Sequence, residues 1–101
     1  MKIAEIIKTD LEDNSPDYAF DCPGCGMSHG IWTSKPNANG AIWTFNGDME
    51  KPTISPSIFG YAENDGRIFW CCHSIIRDGK IQFISDSTHK LAGQTVDLPD
   101  L

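Results

Sequence analysis

Ile75-Ile76-Arg77-Asp78-Gly79-Lys80-Ile81-Gln82-Phe83 is the stretch from which the fold class is read. Asp-Gly between two apolar runs supplies the positive φ values of a two-residue type I′ turn, whose twist matches that of paired antiparallel strands. The segment therefore reads as a β-hairpin. Outward from it, short alternating segments recur between clusters of Gly, Pro, Asn and Asp, which is the rhythm of an all-β chain. The candidate strands are Lys2 to Ile7, Tyr18 to Asp21, Gly30 to Thr33, Ala41 to Phe45, Thr53 to Phe59, Arg67 to Ile76, Lys80 to Ile84 and Thr95 to Leu98. Polar loops are expected at Asp10 to Asp17, Ser34 to Gly40 and Ala62 to Gly66. Lys51-Pro52-Thr53-Ile54-Ser55-Pro56-Ser57-Ile58 contains two prolines that cannot donate to a ladder, so it belongs at a sheet edge or in an extended loop. Asp86 to Gly93 breaks the rhythm, with Asp or Ser as N-cap and Gly as stop, and predicts one short C-terminal helix. The expected fold is all-β and mainly antiparallel, a small sandwich or rolled sheet.

At 101 residues the chain makes one domain, 1–101. A domain of this size buries only about 60 to 65% of its unfolded surface, so a cross-link would help it. Fourteen acidic residues against eight basic ones leave a net charge of −6, which disfavours nucleic acid as a partner because counterion release needs a basic surface. No apolar run approaches the roughly 20 residues that span a bilayer. The N-terminal run Met1 to Lys8 carries Glu5 and no small-residue cleavage site, unlike a secretory signal. A cytoplasmic location follows, and in a reducing compartment four cysteines point to a metal before they point to bridges.

Cys22-Pro23-Gly24-Cys25-Gly26 is a zinc knuckle in form: Pro and Gly set a tight turn that aims both sulfurs inward. Cys71-Cys72-His73 supplies a second half-site. Strict strand alternation puts Cys71 and His73 on one face and Cys72 on the other, whereas a bulge lets Cys72 and His73 turn inward together. His29 is a third way to complete the shell. The cysteine left over is an ordinary buried small side chain.

From Asp21 to Pro99 the order Cys22-Pro23-Gly24-Cys25-Gly26, Ser28-His29, Trp43-Thr44-Phe45-Asn46-Gly47-Asp48, Lys51 to Ile58, Cys72-His73-Ser74-Ile75-Ile76-Arg77-Asp78-Gly79 and Thr88 to Thr95 resembles a family of small phage and prophage proteins of unknown function. Some of its members carry an ammonia monooxygenase label, which does not suit a chain without a membrane span. The resemblance implies a phage-encoded zinc-binding fold in the cytoplasm of a bacterial host. It favours Cys72 over Cys71, giving Cys22, Cys25, Cys72 and His73 as the ligands of one Zn²⁺.

Two functions are compatible with that shell. A site of three thiolates and one imidazole is usually closed and structural, which makes the chain a zinc-stabilised interaction module with a protein partner. The alternative is a zinc-dependent hydrolase that uses His73 or His89 with Asp48 or Asp86, near Ser85, Ser87 and Thr88. Asp48 also reads as a turn residue. The aromatics Trp32, Trp43, Phe45, Phe59, Phe69, Trp70 and Phe83 are expected in the core.

Overall fold

The computed structural model describes residues 1–8 and 14–101. In the hairpin, Arg77 pairs with Lys80 and Ile76 with Ile81. Asp78 (φ 51°) and Gly79 (φ 77°) both take the left-handed conformation, as a type I′ turn requires. Around this hairpin lie β1 (Ala4–Glu5), β2 (Tyr18–Asp21), β3 (Ser28–Ile31), β4 (Thr44–Phe45), β5 (Ile54–Asn64), β6 (Arg67–Arg77), β7 (Lys80–Phe83) and β8 (Thr95–Asp97). They form a three-stranded sheet, β1-β2-β3, and a five-stranded sheet, β4-β5-β6-β7-β8. Every pairing is antiparallel.

The expected loop Ala62 to Gly66 is instead the tip of a second long hairpin. Asn64 pairs with Arg67, and Asp65 (φ 51°) and Gly66 (φ 77°) repeat the conformation of Asp78-Gly79. The same dipeptide chemistry acts twice. The expected loop Asp10 to Asp17 includes residues 10–13, which lie outside the described residues.

β5 departs from regular pairing at its prolines. Ile54 faces Ile76 and Ile58 faces Ser74, so four steps along β5 match two along β6. The surplus forms a bulge that carries Ser55, Pro56 and Ser57, with the Ser55–Pro56 peptide cis. β4 reaches only Ile54 and Ser55, so beyond Pro56 that side of β5 has no strand partner among the described residues. The proline reading of an edge holds for this part of the strand.

Alternation sorts β5 and β6 into an inner and an outer face. Ile54, Ile58, Cys72 and Ile76 are buried inward and join Ile81, Phe83 and Leu98 in one cluster with Ile3, Phe20, Ile31 and Cys22. Each large apolar side chain so buried contributes about 1.5 to 3 kcal/mol. The aromatic expectation needs correction. Phe83 is buried and Trp43, Phe45 and Trp70 pack against the core, but Phe59 and Phe69 are exposed.

The helix expected over Asp86 to Gly93 is absent; the segment is a series of turns. Its polar groups are used by β6 instead, which has no β7 partner beyond Ser74. Ser87 Oγ accepts from His73 N at 3.0 Å and donates to His73 O, while Thr88 N donates to Cys71 O at 3.0 Å and Thr88 Oγ1 accepts from Cys71 N at 3.1 Å. Ser and Thr side chains compete with helix formation in this way. No helix among the described residues is long and apolar enough to cross a membrane.

Candidate functional site

Where β7 ends, Ile84 N and Ser87 hold the backbone of His73 in place of a strand. This seats Asp86 against the outer face of β6. His73 points outward there, because β6 shows no bulge between Cys71 and His73 and each successive side chain changes face. Its Nδ1 lies 3.1 Å from Asp86 Oδ2 and 3.2 Å from Oδ1. On the other side of the ring, Nε2 lies 3.1 Å from Ser57 Oγ, which the β5 bulge presents. A carboxylate only accepts, so Nδ1 carries the proton toward Asp86 and the Nε2 lone pair receives the Ser57 hydroxyl. Trp43 Nε1 donates to Ser57 O at 3.2 Å and steadies the bulge. Cys71, also on the outer face, is buried beneath this loop and donates to Asp86 O at 2.9 Å. Hydroxyl, imidazole and carboxylate thus stand in the order of a hydrolytic triad, which is recognised by geometry rather than by sequence position.

A second group lies on the inner face. The turn from β2 to β3 is closed by Gly26 N donating to Cys22 O and by Cys22 N donating to Met27 O, which brings Cys22 and Cys25 beside His29 of β3. Cys72 meets them from β6. The ligating atoms of Cys22, Cys25, His29 and Cys72 lie within 4.8 Å of one another, with Cys22 Sγ to Cys72 Sγ at 3.6 Å and Cys25 Sγ to His29 Nε2 at 3.2 Å. The edges of a tetrahedron with metal–sulfur distances near 2.3 Å are about 3.5 to 3.8 Å, so the group has the size and donor set for a tetrahedral ion. All four cysteines are free thiols. The hydrogen bond between Cys72 and Cys22 holds the Cys22 thiol well below its ordinary range and pushes that of Cys72 above it. Sulfurs this close to one another and to an imidazole are a donor set that a cation suits.

His89 attaches to this group from outside. Leu91 N donates to its Nδ1 at 3.2 Å, which leaves the ring proton on Nε2, 3.4 Å from Cys72 Sγ. The ring stands edge-on to Phe83, with centroids 4.5 Å apart. An N–H donor on a ligand sulfur orients that ligand and stabilises its thiolate.

The structure brings together Cys22, Cys25 and Cys72 of the expected ligands, but His29 stands where His73 was expected. His73 is excluded by the pleat, which sends it to the face opposite Cys72. Asp86 does meet His73, through Nδ1 and not through a metal-bound water. His89 belongs to the cysteine group. Asp48 is a turn residue whose Oδ1 accepts from Glu50 N and Lys51 N. Ser57 carried no local signal, since it is 16 residues from His73 and sits in a proline segment that reads as structural.

A family model described as "Bacterial ubiquitination-like system serine protease (BubE)" matches residues 3–84. That span contains Ser57, His73 and the four-residue cluster and ends two positions before Asp86. No curated protein and no solved structure matches the chain. The match overturns the expected functions: a family named for a serine protease fits neither a phage interaction module nor a zinc-dependent hydrolase. With most of its length matched, the chain belongs to the bacterial ubiquitination-like system serine protease (BubE) family.

Proposed function

We propose that the chain is a serine hydrolase in which Ser57 is the nucleophile, His73 the general base and acid, and Asp86 the group that orients the ring, cleaving an acyl bond of a ubiquitin-like protein or its conjugate. The observation that carries this reading is the pair of contacts on one imidazole, 3.1 Å to Ser57 Oγ and 3.1 Å to Asp86 Oδ2. Ser57 Oγ attacks the scissile carbonyl as its proton passes to His73 Nε2. Asp86 stabilises the resulting imidazolium, and His73 then protonates the leaving group. Water, deprotonated by the same nitrogen, releases the acyl group from Ser57. The site lies on an open sheet face, with Asp86 54% exposed, which suits a macromolecular substrate whose own surface excludes water. The family name supplies the substrate class, and a system of that kind implies protein partners.

Cys22, Cys25, His29 and Cys72 in this reading hold one Zn²⁺ as a structural clamp, supported by their donor set and spacing. Thiolate ligands of this kind fit a reducing cytoplasm. The zinc takes no part in the acyl chemistry, because His73 and Ser57 face the other side of the sheet.

The decisive experiment is intact-mass analysis after reaction with a fluorophosphonate, which phosphonylates an activated serine. A single adduct on Ser57 is expected, with Ser57→Ala and His73→Ala unlabelled and Asp86→Asn slowed by about 10² to 10⁴. An unlabelled native protein with its fold intact would overturn the assignment.

A further inference from the structure

Phe59 and Tyr61 follow Ser57 at alternate positions of β5 and share its outer face. Both are exposed, 44% and 51%. Their rings stack, with centroids 5.5 Å apart, and the Phe59 ring meets that of His73 edge-on at 5.2 Å. Exposed aromatic pairs on a small sheet cost solubility and contribute nothing to the core, and this pair begins at the reacting imidazole. We infer that Phe59 and Tyr61 are specificity-determining residues, an apolar ledge that receives alternate apolar side chains of an extended substrate segment flanking the scissile bond.

The inference rests on the Ser57, His73 and Asp86 assignment and adds to it what the substrate must offer. Beyond Pro56 one side of β5 has no strand partner among the described residues. An extended peptide added there brings its side chains beside those of β5 at about 4.5 to 5.5 Å, repeating every 6.6 to 6.8 Å or so on each face. The interval from Ser57 to Phe59 and from Phe59 to Tyr61 is that same repeat. A carbonyl held at Ser57 therefore has neighbouring side chains of its own strand above the two rings. The occupant is an apolar peptide segment and not a basic one, since these two positions offer it no charge.

The test compares Ser57 labelling by an ethyl and an octyl fluorophosphonate on the full chain, read as second-order rates by intact mass. The octyl reagent should label the native protein about tenfold faster or more, the order that a few buried methylenes give. Phe59→Ala/Tyr61→Ala should bring the ratio of the two rates close to one, Phe59→Leu/Tyr61→Leu should restore most of it, and Ile7→Ala, an exposed apolar change elsewhere, should leave it as in the native chain. Thermal melting of each variant separates loss of the ledge from loss of fold. Equal rates in the native protein, or a ratio unmoved in the double alanine variant, would overturn the ledge while leaving the triad standing. Absence of any Ser57 label overturns both.

Discussion

Gly24 shows how tightly single residues are set in the cysteine group. A Cβ built there would lie 2.4 Å from His89 Cε1, 2.5 Å from its Nε2 and 2.8 Å from Phe83 Cζ. The knuckle needs glycine at this position so that the imidazole can approach Cys72, not for turn geometry alone. Gly24→Ala should cost about 1 to 3 kcal/mol by overpacking and turn the His89 ring away from Cys72, which denaturant unfolding and the His89 imidazole resonances would register. Neither Gly24 nor His89 announced this relation in the sequence, where His89 reads as a candidate catalytic residue. Ser57 was equally silent: its contact with His73 depends on a bulge and on an imidazole 16 residues away. Cys22 and Cys25 were legible because a metal knuckle has a short, fixed spacing, whereas a triad constrains only positions in space.

Asp17 is the residue-level anchor of the first sheet, and its effect is felt along a whole element. Its carboxylate accepts from Thr33 N at 2.7 Å and Ser34 N at 3.0 Å, and Lys8 Nζ lies 3.0 Å away. Burial raises its pKa, and these donors more than offset that, holding the carboxyl well below its ordinary range. A depressed folded-state value means stability that is complete above the unfolded value near 3.9 and lost as pH falls below it toward the folded value. Asp17→Asn should therefore cost about 2 kcal/mol at pH 7, and the gap between variant and native protein should shrink as the pH is lowered from about 4 to about 2. A gap independent of pH would mean that the donors hold a neutral side chain equally well. The two Asp-Gly hairpins make the complementary point about strands. Gly66→Val places a β-branched residue at φ 77° and should destabilise by at least about 1 kcal/mol, read from urea unfolding. The sequence reading found the turn at Asp78-Gly79 and passed over the one at Asp65-Gly66, because the polar run Glu63 to Asp65 resembles a loop. The C-terminal turns were misread for a related reason: Ser87 and Thr88 fit an N-cap, and only the vacant edge of β6 shows where their hydrogen bonds go.

For the molecule as a whole, β6 is the strand that both sites share. Cys72 reaches inward to Cys22, Cys25 and His29, which are anchored to the three-stranded sheet, and His73, the next residue, reaches outward to Ser57 and Asp86. On the proposed reading, a metal held by the cluster would join the two sheets at the level of the His73 imidazole. For a chain this short a bound metal would supply a large share of the stability, because metal-binding free energy is folding free energy when the unfolded chain has no site. Purified protein is expected to hold about one zinc per chain, and a strong chelator should lower the melting temperature and slow Ser57 labelling together. Cys71 and Cys72 separate the two contributions. Cys72→Ser should lose the metal and much of the stability. Cys71→Ala should keep the metal, since its sulfur faces the other way and donates to Asp86 O, but should slow labelling by loosening the loop that carries Asp86. Metal content by elemental analysis and labelling rate by mass spectrometry distinguish the variants. If Cys71→Ala lost the metal, or if Cys72→Ser kept it, the division of β6 into a metal-binding face and a catalytic face would be wrong.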